Sequence, residues 1–420
     1  MTADAPPEPG VQLATIRCWA AGLDALHARI AHRFRRAEVR ARARRYLAGL
    51  LGRAERKNGW QLAEETGARH PRGVQRLLDA AQWDADAVRD DLRAYVVEHL
   101  GDERAVLVVD ETGFLKKGTK SVGVARQYSG TAGRTENSQV GVFLVYAAPR
   151  GRAFLDRAVY LPATWAADGA RRAEAGVPPA VRFATKPQLA RAMLQRAFAA
   201  GVPATWVVGD TVYGTGRGLR PWLEAERRAY VLAVPAKHRV WAGRQLASAR
   251  AAVGRLAPGA WARRSAGEGR RGPRWFDWVW LPVAGTATPG WGHWLLARRS
   301  VSDPADVAYY RVFAPAGTPL EDAARVAGSR WAVEVAFEQA KGEVGLDQYA
   351  VRRWDAWHRH VTLALLAHAY LEVTRLTAEA PAGRKKSSYP DVKPRRRGLR
   401  RGRAGAAPRR SAPRSGGGGR

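Results

Sequence analysis

Val106-Leu-Val-Val-Asp-Glu-Thr-Gly-Phe-Leu-Lys-Lys-Gly118 sets two adjacent carboxylates at the end of an apolar run, inside a strongly basic chain. With Ala105, the run reads as a short buried strand ending at Asp110. Thr205-Trp-Val-Val-Gly-Asp210 repeats the pattern. A carboxylate in such a place needs a counter-charge, a hydrogen-bond donor or a metal, because an isolated buried anion is strongly disfavoured. Val140-Gly-Val-Phe-Leu-Val-Tyr146 and Arg157-Ala-Val-Tyr-Leu161 read as further strands, and Leu189 to Ala199 as a helix. Strands followed by helices, with acids at strand ends, predict an α/β core whose site lies along the strand edge.

Outward from this core the pattern changes. Residues 11–100 read as helices, with apolar positions three and four apart in Tyr46-Leu-Ala-Gly-Leu-Leu51, Val74-Gln-Arg-Leu-Leu78 and Leu92-Arg-Ala-Tyr-Val-Val-Glu-His-Leu100. Residues 58–78 carry two short helical patterns joined by a Gly/Pro break, as in a helix-turn-helix, and a plain helical bundle with solvated arginines fits equally well. The run Arg33-Phe-Arg-Arg-Ala-Glu-Val-Arg-Ala-Arg-Ala-Arg-Arg45 reads as a solvated helix face or, from its charge density, a phosphate-binding one. On the other side, Trp275-Phe-Asp-Trp-Val-Trp-Leu-Pro-Val283, Gly292-His-Trp-Leu-Leu-Ala297 and Ala308-Tyr-Tyr-Arg-Val-Phe313 make residues 230–314 a β-rich, aromatic segment. Helical pattern resumes near Leu320 and runs to about Leu376, and the Gly/Pro/Ser/Arg bias after Pro381 predicts disorder. The expected divisions are therefore 1–100, 101–229, 230–314, 315–378 and a basic tail, 379–420.

Charge narrows the partner. The chain has 420 residues, 46% of them apolar, which suffices for a large core. Its 70 Lys and Arg against 38 Asp and Glu give a net +32, and removing the 13 net positive charges of residues 381–420 still leaves +19. Such an excess predicts a polyanionic partner. One cysteine, Cys18, excludes an internal disulfide and a cysteine-based zinc cluster and suits a reducing cytoplasm. The N-terminal sequence lacks the basic start and apolar run of a signal peptide, and the longest apolar stretch, Val361 to Leu371, is too short to span a bilayer as a helix.

Phosphodiester chemistry is commonly performed with two hard divalent ions about 4 Å apart, held by carboxylate oxygens. Two aspartates at neighbouring strand ends and a third acid from a packed helix would form that cage. The third is sought in Arg330-Trp-Ala-Val-Glu-Val-Ala-Phe-Glu-Gln-Ala-Lys-Gly-Glu343, where Glu334 and Lys341 fall at about 40° and about 20° from Arg330 around a helix. All three share one face with Val333 and Phe337. The plainer reading is an i,i+4 salt bridge on a solvated helix, with Glu338 and Glu343 as similar surface acids.

Asp110, Asp210 and Glu334 in this order, with Arg330 and Lys341 around the glutamate, resemble the DDE superfamily of insertion-sequence transposases, in the branch with a Tyr-Arg-Glu-Lys signature. The similarity runs from about residue 30 to 375 and includes Gln127-Tyr-Ser-Gly130, Gly209-Asp-Thr-Val-Tyr-Gly214 and Gly345-Leu-Asp-Gln348. It implies an RNase H-like core interrupted by a β-rich insertion, preceded by a helical DNA-binding domain, with two Mg²⁺ ions that Mn²⁺ replaces. It also implies cut-and-paste movement of a DNA element: cleavage at terminal inverted repeats, then attack of the freed 3′-hydroxyl on target DNA, with a homodimer pairing the ends. On this resemblance Asp110 bridges both metals, Asp210 and Glu334 each complete one, and Arg330, Lys341, Lys116, Lys117 and Lys120 neutralise phosphates. The signature tyrosine falls at Ala327, a departure that puts its role in doubt. Glu111 points to the opposite face if the strand continues. Trp291 and Trp294 either stack on an unpaired base or pack in the core, and His238 faces solvent or phosphate. Two rivals remain: a catalytically silent, transposase-derived DNA-binding regulator, and a phosphatase with a strand-end Asp nucleophile, which would want an Asp where Thr112 stands.

Overall fold

The computed structural model describes residues 9–130, 132–269 and 272–379. Five helices come first: α1 (Pro9–Ala31), α2 (Ala37–Leu51), α3 (Gly59–Glu65), α4 (Arg72–Asp79) and α5 (Ala85–Leu100). In α2 the residues at helical spacing, Val39, Ala43, Tyr46, Leu47 and Leu50, are buried. The Asn58 side chain accepts the N–H groups of Trp60 and Gln61 and starts α3, and Asp84 caps α5 in the same way. The helix-turn-helix pattern thus becomes two short helices, α3 and α4, packed on α2.

The central sheet opens with β1 (Val106–Leu115), β2 (Ala125–Ser129), β3 (Arg134–Ala148) and β4 (Gly151–Val159). After α6 (Ala163–Ala167), α7 (Gly169–Glu174) and α8 (Lys186–Ala199) it continues with β5 (Trp206–Gly209), α9 (Thr211–Thr215), α10 (Leu219–Ala225) and β6 (Ala229–Val234). β3 pairs antiparallel with β1 on one side and with β2 and β4 on the other, while β5 runs parallel to both β1 and β6. One expectation changes here. Asp110 does not end β1, because the 15-residue β3 supplies antiparallel partners as far as Leu115↔Ser138. What ends beside it is the parallel ladder, whose last pair is Val109↔Gly209.

The aromatic segment supplies β7 (Arg239–Ala242), β8 (Gln245–Ser248), α11 (Ala249–Gly254), β9 (Ala262–Gly269), β10 (Gly272–Pro282), β11 (Trp291–Ser300) and β12 (Val307–Pro315). β12 pairs antiparallel with β6 and is followed by β11, β10 and β9, so these strands extend the same sheet to ten strands. The strand at the start of the expected 230–314 segment, β6, belongs by its parallel pairing to the β1–β5 ladder. Last come α12 (Leu320–Ser329), α13 (Trp331–Glu343) and α14 (Trp354–Glu379).

α8 and α13 both pack on β3 and β4, and alternation along β1 separates them: Thr112 meets Lys341 of α13, whereas Glu111 meets Lys186 of α8. One continuous buried cluster runs from Leu23 in α1 to Val373 in α14, so the helical N-terminal residues share their core with the sheet. Tyr46 of α2 reaches into α14, its hydroxyl 2.7 Å from His360 Nδ1. No helix among the described residues is long and apolar enough to cross a membrane. The basic segment beyond Pro381, expected to be disordered, lies outside the described residues.

Candidate active site

Asp110 and Asp210 each stand one residue beyond the last pair of the parallel ladder, on strands about 4.8 Å apart. The Asp110 side chain is only 14% exposed, and its Oδ1 accepts the Glu111 N–H at 2.8 Å. Burial, reinforced by the like charge of Asp210, pushes its pKa up to about 7, with Arg330 opposing the shift. Asp210 is also raised, by burial first and then by Glu111, although its Oδ1 accepts the Val212 N–H at 2.8 Å and caps α9. Two glycines fix this turn. A Cβ on Gly209 would lie 2.9 Å from Val109 Cγ2, and one on Gly214 would lie 1.9 Å from the Ala233 carbonyl oxygen, so α9 lies flush on β6 only with glycine there.

Glu111 faces away from Asp110 along β1, yet it belongs to the same electrostatic cluster. Its Oε1 accepts from Lys186 Nζ at 2.7 Å and its Oε2 from the Tyr213 hydroxyl at 2.6 Å. Burial and Glu111 together raise the Tyr213 pKa well above its ordinary value, so the phenol stays protonated and donates. Sequence reasoning gave neither Tyr213 nor Lys186 a role. The only local signal was Tyr213's place three residues after Asp210 in a quoted motif.

Glu334 approaches through Arg330. The guanidinium holds Glu334 Oε1 at 2.6 Å from Nη2 and Asp110 Oδ2 at 3.4 Å from Nη1, so the expected i,i+4 pair forms and reaches the strand acid as well. Glu334 is 52% exposed. Lys341, on the same helix, donates to Thr112 Oγ1 at 2.7 Å, and burial lowers its pKa. Lys116 lies 3.6 Å from the Tyr349 ring centroid, and burial brings its pKa down to about 8. Lys117 is exposed and Lys120 is paired with Glu174 at 2.6 Å.

Ala327 is buried in α12. Trp294 stacks on Trp280 with centroids 4.7 Å apart, and Trp291 on Phe313 at 4.6 Å, so each indole has one face engaged within the aromatic segment. His238, expected to face solvent or phosphate, is half-buried; burial, with Arg220 and Arg311 adding to it, takes its pKa down to about 4 and leaves it neutral at pH 7. In the basic run, Arg33 binds Asp91 through two 2.8 Å hydrogen bonds and Arg44 binds Asp24 at 2.6 Å. Arg35, Arg36 and Arg42 instead line, with Arg76, a cavity of ≈ 620 Å³ between α2 and α4.

The acids around Asp110 offer only oxygen donors, and a carboxylate pushed up to about 7 by burial, with the like charge of Asp210 adding to it and Arg330 only partly opposing it, is suited to a hard cation. Among the described residues no three His, Cys, Asp or Glu side chains form a ready cage. Asp110 and Asp210 are assembled, and Glu334 is joined to them only through the Arg330 cation.

A mixed α/β sheet with paired aspartates at the end of its parallel ladder suits chemistry at a phosphate centre. Residues 29–268 match the family described as DDE superfamily endonuclease, and the chain belongs to that family. Over 194 residues it is 29% identical to the "Probable transposase for insertion sequence element IS701" of Microchaete diplosiphon. That similarity spans 46% of this chain and 48% of the relative, about half of each. The family match contains Asp110 and Asp210 and stops before Glu334.

Proposed function

We propose that this protein is the transposase of an insertion sequence, cleaving DNA at the ends of the element and joining them to a target by a cut-and-paste route. The observation that carries the reading is the placement of Asp110 and Asp210 side by side, both with raised pKa values, in a family of endonucleases. The strand order β4-β3-β1-β5-β6, antiparallel across the first three and parallel across the last three, supports an RNase H-like core. Residues 239–315 are then the β-rich insertion, and α1–α5 with their arginine-lined cavity are the part suited to duplex binding.

Asp110, Asp210 and Glu334 are the residues that would hold two Mg²⁺ ions. When bound, such ions neutralise charge on a phosphodiester and ease deprotonation of an attacking hydroxyl. The chain's own groups prepare that state. Asp110 and Asp210 give up any shared proton, Arg330 releases the two carboxylates it bridges and turns to a phosphate oxygen, and Tyr213 with Lys186 keeps Glu111 fixed behind Asp210. Lys341, bound to Thr112, fixes α13 against β1 and sets where Glu334 can reach.

The test incubates purified protein with duplexes carrying the element's terminal repeats and Mg²⁺ or Mn²⁺. Wild type is expected to nick at the repeat boundary, whereas Asp110→Asn binds the same DNA and leaves it intact. Equal cutting by both would reject the assignment of the site.

A further inference from the structure

A second basic feature lies beside Arg330 and does not include the three acids. Ser329 and Trp331, the two neighbours of Arg330, line a groove of ≈ 380 Å³ bounded by the β3–β4 turn, β9 and the ends of α12 and α14. Six arginines line it against a single acid, Glu268. Three of the six are already committed to carboxylates: Arg104 to Asp102, Arg325 to Asp322 and Arg375 to Glu372. Among the described residues no carboxylate pairs with the other three, Arg150, Arg152 and Arg274.

None of the three forms a direct ion pair among the described residues, although Glu372 acts on Arg152 and Glu334 on Arg274 from further away. The Trp331 indole has the Arg274 guanidinium 5.2 Å and the Arg152 guanidinium 6.0 Å from its ring centroid. Stacking on an aromatic ring fixes a guanidinium while leaving its in-plane N–H donors free, which is how arginine is presented to phosphate. Arg274 is pinned further, one terminal nitrogen donating to the carbonyls of Ala266 (2.8 Å) and Gly328 (3.0 Å), while its Nε is buried with no hydrogen-bond partner. The Arg152 guanidinium makes no hydrogen bond to the described residues. The ring attracts each guanidinium but does not cancel their mutual repulsion, and an anion with several acceptor oxygens relieves it.

We propose that this groove binds the phosphodiester backbone of DNA, with Arg150, Arg152 and Arg274 as phosphate ligands and Trp331 as the residue that positions two of them. A backbone is favoured over a compact anion because the cations are spread along a groove whose lining includes Ser329 and Trp331, and the residue between them, Arg330, holds Asp110, so a strand lying there passes close to the acids. The inference rests on the reading of DNA as substrate, and its test separates the two.

Binding of a labelled random-sequence duplex is titrated at several KCl concentrations with EDTA present. Wild type should bind with an affinity that falls steeply with salt. Arg150→Gln/Arg152→Gln should reduce the slope of log K against log [KCl] by about two, since each lost phosphate contact removes roughly 0.9. Arg152→Lys should restore most of the slope that Arg152→Gln loses, and Trp331→Leu, with every charge kept, should weaken binding several-fold. Arg150 is exposed on the turn, so Arg150→Gln alone, with a slope lower by about one, serves if the double variant fails to fold. A wild type that binds duplex, with variants of unchanged slope and affinity, overturns the groove and spares the DNA reading. A wild type that binds no duplex overturns both.

Discussion

Asp110 ties ionisation, stability and metal demand together in one side chain. Its folded-state pKa of about 7 lies above the unfolded carboxylate value of about 4, so the folded protein favours the protonated form. The associated stability is fully present below the unfolded value and is lost as pH rises through 7, because the unfolded chain ionises freely while the buried site resists. Asp210 shares the burden, so the pair titrates as a unit and the apparent midpoint belongs to both. Asp110→Asn removes the resisting charge. It should match wild type in thermal unfolding near pH 4 and exceed it at pH 8 by on the order of a few kcal/mol. Mg²⁺ at pH 8 should raise the melting temperature of wild type and leave that of Asp110→Asn nearly unchanged. Equal responses to Mg²⁺ in the two proteins would remove the cation from the account of this site.

At the scale of elements, the acids are placed by how closely one short helix approaches a strand. Gly214→Ala puts a methyl group 1.9 Å from the Ala233 carbonyl oxygen, closer than any backbone tolerates, so α9 must lift from β6 and carry Asp210 with it. Roughly 1–3 kcal/mol of stability and the larger part of DNA nicking should be lost. Thr215→Ala, an exposed change on the same helix, should alter neither, and nicking by Gly214→Ala at the wild-type rate would show that α9 does not place the acid. β1 and β5 were legible in the sequence because a strand buried along its length must be a near-continuous apolar run, and both runs end where an Asp enters. The continuation of β1 to Leu115 was not legible, since Asp110, Glu111 and Gly113 are disfavoured in strands and it is β3 that supplies their partners. Pairing choice is non-local for the aromatic strands too: nothing in Ala308 to Phe313 says that β12 pairs with β6 and lengthens the same sheet. The site shows the same division. The Arg330–Glu334 half follows from helical spacing, whereas the Arg330–Asp110 half joins residues 220 apart in the chain. The Lys186–Glu111–Tyr213 contacts depend likewise on where α8 and α9 come to lie.

Across the whole molecule, the N-terminal helices must hold their place relative to the acids if DNA bound by one part is to be cut by another. One tie is a buried charge network at Asp156 of β4, which is 1% exposed. Its Oδ1 accepts from Arg89 of α5 at 3.2 Å and its Oδ2 from Arg196 of α8 at 2.8 Å. The neighbouring Arg157 binds Asp86 of α5 at 2.7 Å and Thr362 of α14 at 2.8 Å. Three helices from three parts of the chain therefore meet on one strand. Such a network is not stabilising merely because it is charged, since desolvating its members offsets much of their attraction. Removing one member is a different matter, because the cations left behind stay buried. Asp156→Ala leaves Arg157 with Asp86, and Arg89 with Asp86 and Asp90, and should cost about 3–5 kcal/mol in urea unfolding. Glu98→Ala, which breaks the exposed Arg29–Glu98 pair between α1 and α5, should cost at most about 1 kcal/mol in the same measurement. If the two variants lose similar, small amounts, the network does not lock the helices to the sheet, and the shared apolar core alone must carry the coupling between them.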